Sequence, residues 1–162
     1  MSLTQTLGSH SFFGTLPIDF KTSFHALQQQ SVVPACVVRP RTTTDVSLVL
    51  RTIAQYECHF AVRSGGHCTF GGSSNADGGI TIDMKYFDQI NVIDPGTVRI
   101  GTAQHWGAVY KALEPQGLVV VGGRDSSVGV GGFLLGGKLF QTSPSILLQT
   151  YLLRYDTTLM QA

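Results

Sequence analysis

The sequence predicts an α+β fold in which mixed short strands and two or three helices share one core. The chain has 162 residues, which is enough for one domain with a real hydrophobic core. It is 43% hydrophobic and only 13% charged, against about 25% charged residues in a typical soluble domain. This composition argues against disorder and against a solvated coiled coil. Short apolar runs alternate with segments of helical periodicity, which favours a mixed fold.

The first half of the chain predicts the order strand, helix, strand. Residues 1–33 are polar with scattered phenylalanines and are interpreted as a leader that holds one short helix over 21–30. A strand is expected at 37–38 and another at 60–62. Between them, Thr44 and Asp45 are candidate N-caps of a helix. The apolar residues of that helix recur at helical spacing: Val46, Val49, Leu50, Ile53 and Ala54.

The second half predicts strands around one further helix. A strand over 79–83 places Ile80 and Ile82 on one face, and strands 90–93 and 97–100 flank an Asp-Pro-Gly turn typical of a hairpin. A helix over 104–113 is followed by Pro115 and Gly117, which end it. A buried strand is expected over 118–121. An amphipathic helix is expected over 144–160.

Charge and cysteine content exclude several partners. Eleven basic and ten acidic residues leave a formal charge of +1, so the sequence predicts no nucleic-acid binding. No signal-peptide pattern and no run of 18 apolar residues is found, which predicts no membrane association and a cytoplasmic location by default. Cys36, Cys58 and Cys68 match no disulfide framework.

Glycine is unusually frequent, and seventeen of the nineteen glycines lie between Gly65 and Gly137. The first dense stretch, which we call the histidine loop, is Arg63-Ser64-Gly65-Gly66-His67 and follows a predicted strand. Successive N–H groups in such a turn can form a concave nest that holds a diphosphate, with Arg63 adding positive charge. An ordinary glycine turn with a surface histidine is the alternative.

The second dense stretch is a 16-residue run over 122–137, and we call its first part, residues 122–132, the glycine segment. It follows a buried strand, and backbone without side chains could lie there against a flat or phosphorylated ligand. A flexible low-complexity loop is the alternative.

Competing motifs are incomplete. Residues 132–138 fit the G-x-x-x-x-G-K phosphate loop, but Leu139 replaces the hydroxyl residue that binds magnesium. No G-x-G-x-x-G follows a strand, and no G-x-S-x-G supports a hydrolase. The set Cys58, His59, His67 and Cys68 is not expected to bind a metal, because adjacent strand residues point to opposite faces.

Several ordered blocks together resemble a known family. They are Val37-Val38-Arg39-Pro40, Thr43-Thr44-Asp45-Val46, the run from Ala61 to His67, Gly78-Gly79-Ile80-Thr81-Ile82-Asp83 and Val128-Gly129-Val130-Gly131-Gly132. Residues 34–137 thereby resemble the PCMH-type FAD-binding domain of vanillyl-alcohol oxidase-like enzymes, nearest the berberine bridge enzyme-like group of fungi.

The resemblance implies FAD as cofactor and His67 as the covalent attachment point of the flavin. Asp125 stands where doubly linked members carry a second cysteine, so a single histidyl link is expected. The histidine loop and Ser73 would hold the diphosphate, and the loop from Gly123 to Gly132 would lie along the flavin and ribityl chain. The implied cofactor-binding residues are Arg63, Ser64, Gly65, Gly66, His67, Ser73, Gly123, Ser127, Val128, Gly129 and Gly132.

The implied activity is hydride transfer from a small organic substrate to FAD, with oxygen as the second substrate. The resemblance stops at 137, so residues 138–162 are expected to be a family-unlike tail and the chain a truncated form. No catalytic residue is assigned, because the substrate domain of the family has no counterpart in the sequence. The alternative hypothesis is a non-catalytic remnant that binds FAD weakly or acts only through protein contacts.

Overall fold

The computed structural model describes residues 12–13, 18–94, 96–136 and 156–161. It divides the chain into two compact units, Met1–Tyr86 and Phe87–Ala162. Strands and helices alternate in both units, which confirms the predicted mixed fold. The described residues contain five α-helices, more than the two or three that were expected.

The first unit is built on a four-stranded sheet. Its strands are β1 (Phe12–Phe13), β2 (Cys36–Val38), β3 (Phe60–Arg63) and β4 (Ile80–Asp83). The sheet order is β1-β2-β4-β3, with β2, β4 and β3 parallel and β1 antiparallel to β2. Because the three parallel strands run together, the residues that follow them meet at one carboxyl edge.

One face of this sheet is covered by a long helix. The helices of the first unit are α1 (Ile18–Thr22), α2 (Leu27–Gln30) and α3 (Thr43–Gln55). Val49 and Ile53 of α3 are buried against Val38 and Ile82 of the sheet. The expected helix is confirmed, but its N-cap is Thr42 and not Thr44 or Asp45. Thr42 accepts a hydrogen bond from the Asp45 N–H, and the Asp45 carboxylate accepts one from the Thr42 N–H.

The opposite face of the sheet is covered by residues 18–26. Phe20 and Phe24 are buried with Val37, and their rings meet edge to face. The single helix expected over 21–30 is wrong, because two short helices flank a bend where the Ser23 hydroxyl donates to the Phe20 carbonyl. Ala26 is buried as well. Phe20, Phe24 and Ala26, which the sequence analysis placed in the leader, are therefore buried in this unit.

The second unit contains an antiparallel sheet and two helices. Its elements are β5 (Ile90–Asp94), β6 (Thr97–Ile100), α4 (Trp106–Leu113), a 3₁₀ turn (Glu114–Gln116), β7 (Leu118–Val120), α5 (Val130–Leu135) and β8 (Asp156–Gln161). The order β5-β6-β8-β7 includes the expected hairpin. Trp106, Val109 and Leu113 of α4 form its core with strand residues.

Two expectations for the second unit need correction. Residues 130–135 form α5, although the sequence offered only a glycine-rich loop there. The amphipathic helix expected over 144–160 is wrong at its end, because Asp156–Gln161 is a strand between β6 and β7. Residues 144–155 of that expected helix lie outside the described residues. In the part of the chain that the structure describes, no helix is long and apolar enough to cross a membrane.

The capping box of α3 predicts a pH-dependent stability. Asp45 accepts from the N–H of Arg41 at 2.9 Å and of Thr42 at 3.0 Å, and these bonds lower its pKa from the ordinary value of 3.8. Its stabilisation is therefore present above pH 3.8 and lost as the pH falls through the lower folded pKa. Asp45→Asn should lower the free energy of unfolding by roughly 0.3–1 kcal/mol at neutral pH. Urea titrations at several pH values measure it.

The matched control is Asp77→Asn, at an exposed turn residue. It should change stability little at any pH. A difference between Asp45→Asn and the wild type that stays constant down to acidic pH would contradict the assignment.

Candidate functional site

The histidine loop begins at the carboxyl edge of the parallel sheet, where three charged residues meet. Asp83 at the end of the central strand accepts from Arg39 Nε at 2.8 Å and lies 3.6 Å from Arg63. All three side chains are at least nine-tenths buried. Asp19 pairs with Arg39 at 3.7 Å and with Lys85 at 3.2 Å. Three basic groups therefore face two carboxylates, which leaves one positive charge in excess at this edge.

Arg63 lies beneath the loop that follows it. Its guanidinium donates to the Ser23 hydroxyl at 2.8 Å and stacks over the Phe24 ring at 4.4 Å. Burial lowers the pKa of Arg63, and the Asp83 carboxylate opposes that shift. Arg63 Nε is buried and has no hydrogen-bond partner among the described residues. The charge of Arg63 is thus held under the loop by protein contacts.

Gly66 is the residue that lets the loop approach this layer. Its φ is +65°, and a Cβ atom there would lie 3.1 Å from the Phe24 ring and 3.2 Å from Arg63 Nε. Gly65 and Gly66 are both buried. Their N–H groups donate to no backbone carbonyl within the described residues. Two adjacent buried N–H groups, the second in a residue beside a guanidinium, form a setting that suits an anionic oxygen.

Ser73, the remaining predicted diphosphate ligand of this unit, is tied to the protein. The fully buried Gln29 amide donates to the Phe70 carbonyl at 2.5 Å and to the Ser73 hydroxyl, which itself donates to Phe70 at 2.9 Å. The Ser73 hydroxyl also lowers the pKa of the exposed Cys68 thiol, with help from backbone groups. Ser73 therefore shapes the 68–73 loop, and Gln29 anchors it.

A buried polar network continues from this anchor into the sheet. Asn75 donates to the backbone carbonyls of Gln29 at 3.1 Å and Val32 at 2.9 Å. The Thr81 hydroxyl of β4 donates to the side-chain amide oxygen of Asn75 at 2.9 Å. Sequence reasoning did not find Gln29 or Asn75, because the bonds from Gln29 to Phe70 and from Asn75 to Gln29 each join residues more than 40 positions apart.

His67 is half-buried at the end of the histidine loop. Its imidazole stacks on that of His25, with ring centroids 4.0 Å apart and planes 15° from parallel. The His25 N–H donates to the Gly66 carbonyl at 3.1 Å. Sequence analysis gave no role to His25, since nothing in the spacing of the two histidines links them.

The glycine segment of the second unit is shaped by Trp106. A Cβ atom at Gly122 would lie 2.2 Å from the Trp106 ring, and one at Gly123 would lie 2.4 Å from it. The Tyr110 hydroxyl donates to the Gly123 carbonyl at 2.7 Å, and burial raises the pKa of this phenol. The first two glycines therefore make room for a tryptophan of the same unit.

The rest of this segment is a turn followed by a helix. Asp125 accepts from the Ser127 N–H at 2.8 Å and from the Ser127 hydroxyl at 2.7 Å. The backbone N–H of Trp106 donates to the Val128 carbonyl, and Gly129 is buried at the start of α5. Gly132 lies within α5 rather than in a loop, and the space beside its α-carbon is open.

Six of the predicted FAD ligands lie in the first unit, at the end of β3 and in the loops that follow it, and five lie in the second unit, from Gly123 to the first turn of α5. The assignment of these residues to FAD stays a prediction. The limits of the leader, domain and tail are predictions as well, and so is the cytoplasmic location. Cys36, Cys58 and Cys68 are free thiols. Among the described residues, no group of three or more histidine, cysteine, aspartate or glutamate side chains could hold a metal ion.

Comparison with known proteins gives a family match. Residues 34–156 match the family described as FAD binding domain. The match begins where the resemblance predicted and extends past residue 137. The FAD-dependent monooxygenase FUP4 of Fusarium proliferatum is 48% identical over 117 residues, which cover 72% of this chain and 23% of that protein. The chain thus spans about a quarter of the length of such relatives.

Solved structures share the fold. The 6-hydroxy-D-nicotine oxidase of Arthrobacter nicotinovorans is 26% identical with a TM-score of 0.64, over 74% of this chain and 26% of that one. The BBE-like 1 protein of Physcomitrella patens is 23% identical with a TM-score of 0.68, over 82% of this chain and 30% of that one.

Gly66→Ala tests the close approach of the histidine loop. A left-handed backbone costs an alanine about 1–2 kcal/mol, and the Phe24 and Arg63 contacts add a steric penalty at this position. Gly72→Ala is the control, because Gly72 has a φ of +84° and nothing within 4 Å of the added atom. Urea unfolding should show a larger loss for Gly66→Ala. Equal losses would show that crowding at Gly66 is unimportant.

Gln29→Ala tests the buried anchor. Removing the fully buried amide deletes its bonds to the Phe70 carbonyl and the Ser73 hydroxyl, leaves a cavity, and should lower the free energy of unfolding by about 1–3 kcal/mol. The neighbouring exposed Gln28 gives the matched control Gln28→Ala, which should change stability by less than about 0.5 kcal/mol. Hydrogen exchange should also become faster in the 68–73 loop of Gln29→Ala. Unchanged exchange and stability would rule out the anchoring role.

Proposed function

Because the chain belongs to the FAD-binding domain family, as the resemblance predicted, we propose that it holds FAD and is the flavin-binding part of an FAD-linked oxidoreductase. The observation that carries this proposal is the pair of adjacent N–H groups at Gly65 and Gly66, which donate to no described backbone carbonyl, with the Arg63 guanidinium beside Gly66. A dinucleotide diphosphate is an anion that uses adjacent backbone N–H groups and a nearby positive charge.

The proposed roles follow from the contacts in each unit. Gly65 and Gly66 bind diphosphate oxygens, and Arg63 supplies positive potential from below without leaving Asp83 and Ser23. His67 is the proposed single covalent anchor of the flavin, at an imidazole that is half-buried and held against another ring. In the second unit, Asp125 and Trp106 fix the backbone around Gly123 and Val128 for contact with the cofactor.

FAD, when bound, supplies hydride acceptance and reactivity with oxygen. The chain's own residues bind and orient the cofactor. We propose a small organic molecule as hydride donor and oxygen as the final acceptor. The 48% identical relative is named a monooxygenase, which also favours oxygen as a co-substrate.

An oxidase and a monooxygenase differ in the amount of hydrogen peroxide formed per oxygen consumed. An oxidase returns all of the oxygen as peroxide, whereas a monooxygenase places one oxygen atom in its product.

The state of the flavin is the first test. Purified protein should be yellow, and the colour should remain in the pellet after acid precipitation because the flavin is covalently linked. His67→Ala should move the colour to the supernatant. His59→Ala is the control, since His59 is exposed before β3, and should leave the colour in the pellet. The visible spectra of pellet and supernatant are the measurement.

The outcomes separate the alternatives. Colour in the supernatant of the wild type would contradict the covalent link and leave FAD binding in place. A colourless protein after incubation with FAD would contradict the proposed function and favour a non-catalytic remnant that acts through protein contacts.

A further inference from the structure

Two histidines that are 42 residues apart form one stacked pair in the first unit. The His25 and His67 rings lie 4.0 Å apart at an angle of 15°, which is van der Waals contact over a full ring face. His67 is the last residue of the histidine loop, whereas His25 belongs to the bend between α1 and α2. The pair joins two segments that no strand or helix connects directly.

The backbone of His25 is fixed on both sides. Phe24 is 3% exposed and Ala26 is 8% exposed, so both neighbours are buried while the His25 side chain remains at the surface. The Gln30 amide donates to the Phe24 carbonyl at 2.9 Å. The His25 N–H donates to the Gly66 carbonyl, one residue before His67. The buried neighbours and the bond to Gly66 therefore place the exposed His25 ring against His67.

This arrangement limits the motion of the His67 imidazole. One face of the ring is covered by His25. The bond from the His25 N–H to the Gly66 carbonyl ties the backbone of His25 to the residue before His67. A reactive imidazole with a restricted ring loses less rotational freedom when it forms a bond.

We propose that His25 is a positioning residue that holds the His67 imidazole in the orientation required for attachment to the flavin. Attachment would replace one C–H bond of a flavin ring methyl group and the imidazole N–H bond with an N–C bond. The two hydrogens and the electron pair would reduce the flavin, and the oxygen proposed above as final acceptor would reoxidise it with release of hydrogen peroxide. The role of His25 in flavin attachment rests on the proposed function. The positioning itself rests only on the stack and the backbone bond. A flat ring at position 25 is what the geometry requires, so phenylalanine should replace histidine and alanine should not.

The first experiment measures the freedom of His67 without any flavin. Diethyl pyrocarbonate acylates imidazole nitrogen, and trypsin releases peptide 64–85, in which His67 is the single histidine. In the apo protein, His25→Ala should raise the rate of His67 acylation by roughly two- to tenfold, the factor that an aromatic pair contributes. A small reagent that arrives from solvent reacts faster with a ring that is uncovered and free to turn, whereas attachment to a flavin held in one place benefits from a fixed ring. His25→Phe should keep the wild-type rate, and so should the control His59→Ala. Equal rates in His25→Ala and the wild type would overturn the positioning role.

The second experiment measures covalent attachment. FAD is added to apo protein, and acid-precipitable flavin is followed with time. His25→Ala should slow attachment by roughly two- to tenfold, with rescue by His25→Phe. A slow His25→Phe variant would overturn positioning by stacking. Circular dichroism of each variant shows whether the fold is retained.

The two experiments separate the proposals. If the wild type takes up no flavin, the proposed function fails, and the acylation rates still decide whether His25 orients His67. If flavin attaches equally fast to all variants, the proposed function stands and the role of His25 in attachment is overturned.

Discussion

One buried carboxylate organises the first unit. Asp83 ends the central strand of the parallel sheet and is shared by Arg39 and Arg63, which follow or end the two flanking strands. A buried carboxylate needs such partners, because an unpaired charge in the interior is strongly destabilising. The same ion pairs set the direction in which the chain leaves β3. The histidine loop starts from that direction, so its geometry depends on a charge cluster in the core.

The segment before the parallel sheet supports the loop from the other side. Phe24 contacts Arg63 beneath Gly66, His25 stacks on His67, and Gln29 anchors Ser73. These three contacts come from six consecutive residues of a bend and a short helix. Each contact uses a different physical interaction, namely a cation–π contact, a ring stack and a buried amide hydrogen bond. A segment that the sequence analysis interpreted as part of a leader therefore shapes the proposed cofactor loop.

The glycines of the two loops serve different purposes. Gly66 takes a left-handed backbone above Arg63, whereas Gly122 and Gly123 make room for the Trp106 ring. Glycine richness by itself does not distinguish a ligand surface from close internal packing. What supports a ligand in the first unit is the pair of N–H groups at Gly65 and Gly66 that donate to no backbone carbonyl among the described residues, together with the charge of Arg63 beside Gly66. The family match gives that ligand its chemical identity as a proposal.

The sequence by itself determined the family, the mixed fold, the hairpin and the helix over Thr43–Gln55, because these follow from local periodicity, turn residues and ordered motifs. It did not determine the break near Ser23, the helix Val130–Leu135 or the strand Asp156–Gln161. The Ser23 hydroxyl accepts from Arg63, the first N–H of the helix donates to the Gln104 carbonyl, and the strand pairs with β6 and β7, so each element has partners distant in the chain. Only the tertiary structure revealed His25 beside His67. The free energy of such long-range contacts arises after folding brings the segments together, and it leaves no periodic trace in the sequence.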